Sequence, residues 1–350
     1  MKGLRKYLTP FAPDQSGAVS VLYSTGALTV IIDAGGCAGN ICGFDEPRWH
    51  TQKSAVFSAG LRDIDAILGR DDLLVKKVEA AVRYARINEN NPDEFKFVAL
   101  VGTPVPSVIG TDYSALVRMI EKKTGLPAVF VPTNGMLLYD SGEEKAWLEL
   151  FKKFAVDSEG KSDTIGILGH TPLDFEMLSP DEIKNILFEN GIDNYIIYGQ
   201  VNGADDIKKA GTIKENIVVS PSGIAAAKYL ESRFKTPYKI YDPFAARLLP
   251  SDISFDDKSI LIVHQSVAAY TLEKLIKEKY PTANITKVTW FLSPPETGEF
   301  VSLKEEDDFE ALLRDNKFDI IIADNVMREM VKDLDGVWID ARHFAVSGRS

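Results

Sequence analysis

The residues best suited to chemistry near the amino terminus are the two cysteines of the chain, Cys37 and Cys42. They stand in the glycine-rich segment Gly35–Gly43, directly after Leu28–Ile32, an apolar run that has the composition of a buried strand. Two cysteines cannot make a disulfide scaffold for 350 residues, so we expect reduced thiols that are available to a metal. Plant-type ferredoxins share the C-x4-C spacing, but the further cysteines that they need are absent here. On the cysteines alone, a metal site and two inert buried thiols are equally open.

Two histidines directly follow predicted strands. His170 comes after Ile165–Gly169, and His264 comes after Ile260–Val263; polar residues follow both. A histidine in this position can donate a proton near neutral pH or ligate a metal axially. The alternative is a histidine that only hydrogen-bonds a loop.

Weaker candidates stand at similar strand ends, in Gln200–Asn202 and Tyr241–Asp242. The other two histidines are assigned elsewhere: His50 to the surface beside the cysteine segment and His343 to the C-terminal tail.

Strands and helices alternate almost throughout the chain and must position these residues. The apolar runs do not alternate with polar residues, which is typical of parallel sheets covered on both faces. The predicted strands are 28–32, 97–101, 128–131, 164–168, 195–198, 217–219, 239–241, 259–263, 287–290, 319–323 and 336–339. The predicted helices are 16–23, with Ser16 as its cap, 71–85, 113–123, 180–190, 223–237, which ends in Lys-Thr-Pro, and 268–278.

Three series of strands and helices in tandem predict an α/β protein of three Rossmann-like, doubly wound parallel-sheet domains. We place them at residues 1–157, 158–246 and 247–350, with a polar linker at 158–163. Open parallel sheets bind ligands beyond the carboxyl ends of their strands, so function is expected in the loops that follow the strands.

Composition excludes several classes of function. The net charge of −11 and the interspersed charges argue against a nucleic-acid partner, because phosphate binding needs a dense basic surface. The N-terminal segment Met1–Gln15 lacks the apolar core of a signal peptide, and no uncharged apolar stretch is long enough to span a membrane. We therefore expect a cytoplasmic protein without a membrane partner.

Two passages resemble the nitrogenase component 1 family. In Gly35–Trp49, a strand ends in a Gly-Cys loop like the one that gives a thiolate to the interfacial cluster of that family. Val101–Asp112 is similar to the family's Cys-Pro-x-x-x-Ile-Gly-Asp-Asp turn, and Gly125–Gly135 follows the next helix at the expected place. Asp63–Gly69 resembles an acidic residue before a Phe/Leu-Gly-Gly turn. Beyond these passages the resemblance is one of architecture, and it implies three domains facing a central cavity.

Departures from the family pattern limit the chemistry. Family members place cysteines at three points per subunit, and only Cys37 matches one of them. The other two points fall near Pro13–Ala18 and at Thr103, neither of which has a cysteine, while Cys42 has no obvious counterpart. An eight-iron cluster, a cysteine-anchored iron–molybdenum-type cofactor and dinitrogen reduction are therefore not expected.

The resemblance implies an iron–sulfur cluster at the Gly-Cys loop. A 4Fe–4S cluster needs four ligands, and a twofold dimer can bring the same loop of each subunit near its axis. The simplest arrangement is one 4Fe–4S cluster shared by two subunits through Cys37 and Cys42 of each, with Gly36 and Gly39 beside it. Asp14 is a reserve metal ligand, because some dark-operative reductases that resemble this chain use a carboxylate in that region.

The function implied is that of a reductase subunit. The chain lacks a G-x-x-x-x-G-K-[ST] loop, so the resemblance implies a separate ATP-dependent partner like the nitrogenase iron protein. Phe44–Trp49 either contributes to the docking face or forms a local turn. The substrate would be a small organic molecule or a tetrapyrrole in the cavity, with His170 and His264 as candidate catalytic residues.

Two other functions are open. The chain could be a scaffold on which a metallocluster is assembled, or a small-molecule sensor without redox function. The intact cysteine pair counts against the sensor. The sequence also leaves open a homodimer or a heterodimer with a paralogue.

Overall fold

Three parallel β-sheets, one after another along the chain, form the frame of the molecule. The computed structural model describes residues 5–33, 36, 38–39, 41, 55–62, 64–65, 70–88, 95–104, 112–158, 160–175, 178–331 and 336–347. None of the helices in these ranges is both long enough and apolar enough to cross a membrane.

The first sheet has the strand order β2-β1-β3-β4. Its strands are β1 (Ala27–Ile31), β2 (Ala55–Ser58), β3 (Phe97–Val101) and β4 (Ala128–Val131). The helices that the structure describes in full in this part of the chain are α1 (Asp14–Tyr23), α2 (Asp71–Asn88), α3 (Tyr113–Thr124) and α4 (Tyr139–Phe154). Every residue of β1 and β3 is buried, because helices cover both faces of the sheet.

The second sheet repeats this plan with the order β6-β5-β7-β8. Its strands are β5 (Ile165–Leu168), β6 (Tyr195–Ile197), β7 (Glu215–Val218) and β8 (Tyr238–Ile240). Its helices are α5 (Pro180–Glu189), α6 (Ala204–Lys208) and α7 (Ile224–Phe234). A complete capping box starts α5, since Ser179 and Glu182 each accept a backbone N–H of the other.

The third sheet has five strands in the order β11-β10-β9-β12-β13. They are β9 (Ser259–Val263), β10 (Asn284–Thr289), β11 (Val301–Ser302), β12 (Ile320–Ala323) and β13 (Val337–Asp340). Its helices are α8 (Ser266–Lys279), α9 (Glu306–Asp315) and α10 (Phe344–Ser347).

Each sheet reverses its winding beside its first strand. In each sheet the first strand lies between two later ones: β1 between β2 and β3, β5 between β6 and β7, and β9 between β10 and β12. Loops at such a switch point diverge and leave a crevice at the carboxyl ends of the strands. The loop after β1 carries Gly36, and the loops after β5 and β9 carry His170 and His264.

One hydrophobic core joins the first two sheets. It contains buried residues of both, and Phe151 of α4 meets Tyr198, at the end of β6, edge to face with ring centroids 4.9 Å apart. The predicted domain boundary after residue 157 stays a prediction, because α4 packs against α6 and α7 of the second part of the chain as well as against α1 and β4.

The predicted α/β class with parallel sheets is confirmed, and the predicted strands agree with the structure to within a few residues. The cap at Ser16 was wrong: α1 begins at Asp14, after Pro13, whose side chain makes no capping hydrogen bond. The elements that sequence analysis missed are β2, α4, α6, β11, α9 and α10.

Two glycines let α1 and α4 touch through their backbones. A Cβ atom at Gly142 would lie 1.6 Å from the carbonyl oxygen of Asp14, and one at Gly17 would lie 1.8 Å from the carbonyl oxygen of Tyr139. No real Cβ can occupy either position, so any larger residue must push the helices apart.

Gly142→Ala should therefore destabilise the protein. The overlap is with backbone, which cannot rotate away, and we expect a loss of about 3 kcal/mol in the free energy of unfolding. Chemical denaturation measures it. Gly160→Ala is the control, since no described atom lies within 4 Å of its added Cβ, and should change the value little. Equal stability of both variants would contradict the close helix contact.

Candidate functional site

A cavity of about 390 Å³ lies where the three sheets meet. Tyr139, Asp140 and Glu143 of α4 form the wall on the side of the first sheet. The second part of the chain supplies His170, Asp174, Val219, Ser220, Pro221, Asp242, Phe244, Ala245, Arg247 and Leu248, and the third supplies His264, Gln265, Phe291, Asp340, Arg342, His343 and Ala345. The structure thus brings the two histidines predicted from strand ends into one cavity, and Gln200 and Asn202 do not line it.

His170 is held at the end of β5 by a close backbone approach. Gly169, just before it, has φ +102°, and a Cβ there would lie 2.9 Å from backbone atoms of Gly223. The imidazole is 5% exposed. Burial lowers the pKa of His170 to about 3, so the ring is neutral at pH 7.

The tautomer of His264 is set by a carbonyl group. Its Nε2 lies 2.9 Å from the carbonyl oxygen of Arg342. A carbonyl can only accept, so Nε2 carries the hydrogen and Nδ1 of the neutral ring carries a lone pair. Nδ1 is buried and has no hydrogen-bond partner among the described residues. Burial lowers the pKa of His264, and the Arg342 carbonyl and the charge of Asp324 offset this only in part.

His343 belongs to the site, although the sequence analysis assigned it to the tail. Its ring centroid lies 4.9 Å from that of His264 and 4.9 Å from that of Phe291. Asp324, after β12, accepts its backbone N–H at 3.0 Å. Burial, and then the neighbouring His264, hold the pKa of His343 well below its usual range. Its place after the strand β13 was the signal that could have found it.

Two carboxyl groups in the cavity have unusual environments. Asp140, in the first turn of α4, is 6% exposed, and its Oδ2 accepts the N–H of Leu292 at 2.6 Å. Asp242 follows β8, and its Oδ1 accepts the N–H of Phe244 at 2.9 Å. Burial raises the pKa of Asp140 to about 7 and that of Asp242 to about 7. Asp242 was a weaker candidate from sequence, and Asp140 was missed because α4 was missed.

The glycine-rich loop after β1 is described only in part. Cys37, Cys42 and His50 lie outside the described residues. Gly36 has φ +88° and accepts the N–H of Gly39 at 3.0 Å. Both glycines are exposed, and no described atom lies within 4 Å of a Cβ built on either.

Asp14 lies on the same side of the first sheet, fully buried. Its carboxylate accepts the N–H of Gly135 at 2.7 Å and that of Asn134 at 3.1 Å, and it pairs with Lys145 at 3.2 Å. Ligation of a metal by Asp14 would have to displace some of these bonds. Thr103 stands at one of the three positions where a cysteine was expected from the resemblance. Its hydroxyl donates to the carbonyl of Ile32 at 2.6 Å.

Within the part of the chain that the structure describes, no three His, Cys, Asp or Glu side chains are arranged to hold a metal ion. Three parallel sheets around a cavity lined by imidazoles and carboxyls define an α/β protein of parallel sheets with an internal cavity. The chain belongs to the nitrogenase component 1 type oxidoreductases, a family that matches residues 19–246.

Known proteins resemble the chain in sequence and in fold. A curated protein named nitrogenase iron-molybdenum cofactor biosynthesis protein NifE, from Clostridium pasteurianum, is 30% identical over 185 residues, which are 52% of this chain and 38% of that protein. The matched region thus spans well under half of the relative.

Two solved structures, described as nitrogenase Cp1 at pH 6.5 and nitrogenase Cp1 at pH 5, superpose with TM-scores of 0.72 and 0.65. They are 13% and 12% identical to this chain and are covered over 88% and 86% of their lengths, with all of this chain aligned. At this identity the likeness shows the fold.

The neutral, buried His170 should make stability depend on pH. In the unfolded chain its pKa is near 6.5, so below that pH only the unfolded state takes up the proton, and stability falls as pH drops toward 3. His170→Gln should reduce this fall by about 1.4 kcal/mol per pH unit well below 6.5. Denaturant titrations of parent and variant between pH 4 and pH 7.5 measure the difference. Parallel pH profiles would show that His170 titrates as it does in water.

Proposed function

We propose that this chain is the catalytic subunit of a nitrogenase-like reductase. It would pass electrons from an ATP-dependent partner, through an iron–sulfur cluster at a dimer interface, to a substrate in the cavity among the three sheets. The proposal rests on this cavity, in a chain that belongs to an oxidoreductase family. The cavity lies at the switch points of the second and third sheets and holds several titratable groups. The reaction would not be the reduction of dinitrogen.

The loop after β1 is the proposed position of the cluster. Cys37 and Cys42 of two subunits would supply four thiolates for one 4Fe–4S cluster. No described atom lies within 4 Å of a Cβ built on Gly36 or Gly39, so a bulky group would meet none of the described residues there, and the backbone N–H of Gly36 could hydrogen-bond its sulfurs. Asp14 is the reserve ligand, at the expense of its bonds to Lys145 or the loop amides. Such a cluster supplies single low-potential electrons.

The residues of the cavity would bind and orient the substrate. The volume of about 390 Å³ is in the range of small-molecule sites, and an organic substrate or the core of a tetrapyrrole is the class proposed. His264 offers a lone pair at Nδ1, which can accept a hydrogen bond from a substrate N–H. His170 lies on the opposite, second-sheet side and would contact the same substrate.

A separate partner must supply the electrons. The chain contains no G-x-x-x-x-G-K-[ST] loop, so a nitrogenase iron-protein-like ATPase is the proposed reductase. A homodimer satisfies the ligand count with this chain alone, and a heterodimer with a paralogue would replace one pair of thiolates.

A second candidate is a scaffold on which a metallocluster is assembled. The specific observation in its favour is the 30% identity to a cofactor biosynthesis protein. A scaffold would release its cluster to an acceptor protein, whereas a reductase keeps its cluster through many turnovers. A non-redox small-molecule binding protein would need neither cysteine.

Protein purified without oxygen should contain about four irons per dimer. Cys37→Ser and Cys42→Ser should each remove most of the iron, because a hydroxyl is a much poorer ligand than a thiolate. Iron analysis and the visible absorption of the cluster measure the loss. Ser58→Ala, at the exposed end of β2, is the control and should keep its iron. Unchanged iron in both cysteine variants would exclude the assignment.

His264→Ala should slow substrate reduction by about 10²-fold, since the acceptor at Nδ1 that orients the substrate is lost. The electron paramagnetic resonance signal of the reduced cluster should stay unchanged, because the substitution is in another sheet. The same pair of measurements applies to His170→Ala. Parent-like turnover in both variants would assign the histidines a structural role.

A further inference from the structure

Reduction of an unsaturated bond needs protons as well as electrons, and the imidazoles of the cavity are poorly placed to supply them. The Nε2–H group of His264 is engaged with the Arg342 carbonyl, and Nδ1 carries a lone pair. The ring of His343 is packed against His264 and Phe291. Burial lowers the pKa of all three cavity histidines, His170, His264 and His343, which favours neutral rings at pH 7. The carboxyl groups of the cavity are therefore the better candidates for proton donors.

Asp140 faces the cavity without a cation beside it. It lies in the first turn of α4, and the N–H of Leu292, from the third sheet, is donated to one of its oxygens. Within the described residues, Asp140 forms no ion pair; the backbone N–H groups of Ser141 and of Asp140 itself also donate to its carboxyl, and the charge of Glu144 on the same helix raises its pKa. A neutral carboxyl can accept the N–H through its carbonyl oxygen and carry its proton on the other oxygen.

Asp242 has a similar arrangement on the second sheet. Its own N–H is donated to the hydroxyl of Thr271 at 2.9 Å, and its Oδ1 accepts the N–H of Phe244. Arg247 and Asp174 act on it with opposite charges, and no ion pair of Asp242 occurs in the described part of the chain. Its carboxyl lines the cavity together with the histidines.

We propose that Asp140 and Asp242 are the two acids that deliver protons to the substrate in the cavity. This inference rests on the proposed reductase function and deepens it. Two acids from two separate sheets match the need of a two-electron reduction, which adds two protons across one unsaturated bond. The substrate class is then an unsaturated organic molecule that accepts hydrogen at a double bond.

Addition of two electrons and two protons saturates the double bond of the substrate. Two electrons, which come one at a time from the low-potential reductant of the proposed function, fill the acceptor orbital of the double bond, and the π bond breaks. The O–H bonds of the two carboxyls break, and two new bonds to hydrogen form on the substrate. Each acid is left as a carboxylate and regains its proton from water that enters the cavity after the product leaves.

The pKa values of Asp140 and Asp242 support their role as proton donors. Burial raises the pKa of each to about 7, so each is protonated in a substantial fraction near neutral pH. At Asp140, backbone N–H groups oppose burial and the charge of Glu144 reinforces it. At Asp242, the N–H of Phe244 and the charge of Arg247 oppose burial, and Asp174 reinforces it. Donation should fall as pH rises through about 7, because the acids then ionise.

Infrared spectroscopy of the holoprotein tests the proposal without turnover. The C=O band of protonated carboxyls should titrate near pH 7, and Asp140→Asn and Asp242→Asn should each remove part of it. Asp181→Asn, on the exposed start of α5, is the control and should leave the band unchanged. Complete loss of this C=O band by pH 6 would overturn the proposal.

Turnover uses a free-base porphyrin as the unsaturated probe and the cognate reductase. Asp140→Asn and Asp242→Asn should each reduce the porphyrin about 10²-fold more slowly than the parent, with an unchanged cluster signal. Asp242→Glu, which keeps a carboxyl, should recover part of the rate. Parent-like rates in both variants would overturn the donor role. If the parent leaves the probe unreduced, the reductase assignment for this substrate class fails, and the infrared titration alone decides whether the two carboxyls hold protons.

Discussion

The arrangement of the site depends on the contact between α1 and α4. Gly17 and Gly142 let the two backbones approach so closely that a single added Cβ would overlap a carbonyl group. At the start of α1, Asp14 accepts two N–H groups of the segment that leads into α4. This fixes where α4 begins, and its first turn then forms one wall of the cavity.

Hydrogen bonds across the chain hold the third sheet against this pair of helices. Asp140 of α4 accepts the N–H of Leu292 at 2.6 Å. Glu306, at the start of α9 and 3% exposed, accepts the N–H of Lys6 at 2.6 Å and that of Leu8 at 2.7 Å. The bonds to Glu306 are charge-assisted, because the pKa of this carboxyl is lowered, and such bonds are among the stronger ones in proteins. The N-terminal segment and α4 therefore hold the third sheet next to the first two. These contacts stabilise the cavity that the three parts of the chain line.

The sequence predicted the sheets well because their strands are buried on both faces and appear as continuous apolar runs. It also found His170 and His264, since polar residues after such strands must gather at one edge of the sheet. Helix α4 was missed because Leu138, at its N-cap, offers no capping side chain, and its apolar residues are interspersed with Lys and Glu. Asp140 could not be found, because its environment comes from Leu292, 152 residues away along the chain.

A cluster at the loop after β1 that serves a metal-free cavity can be tested by an anaerobic crystal structure with anomalous scattering at the iron edge. We expect an iron peak beside Gly36 and Gly39 on a twofold axis between two subunits, and none in the cavity beside His264 and His343. Iron bound inside the cavity would contradict the account and would favour a scaffold that carries a metallocluster there.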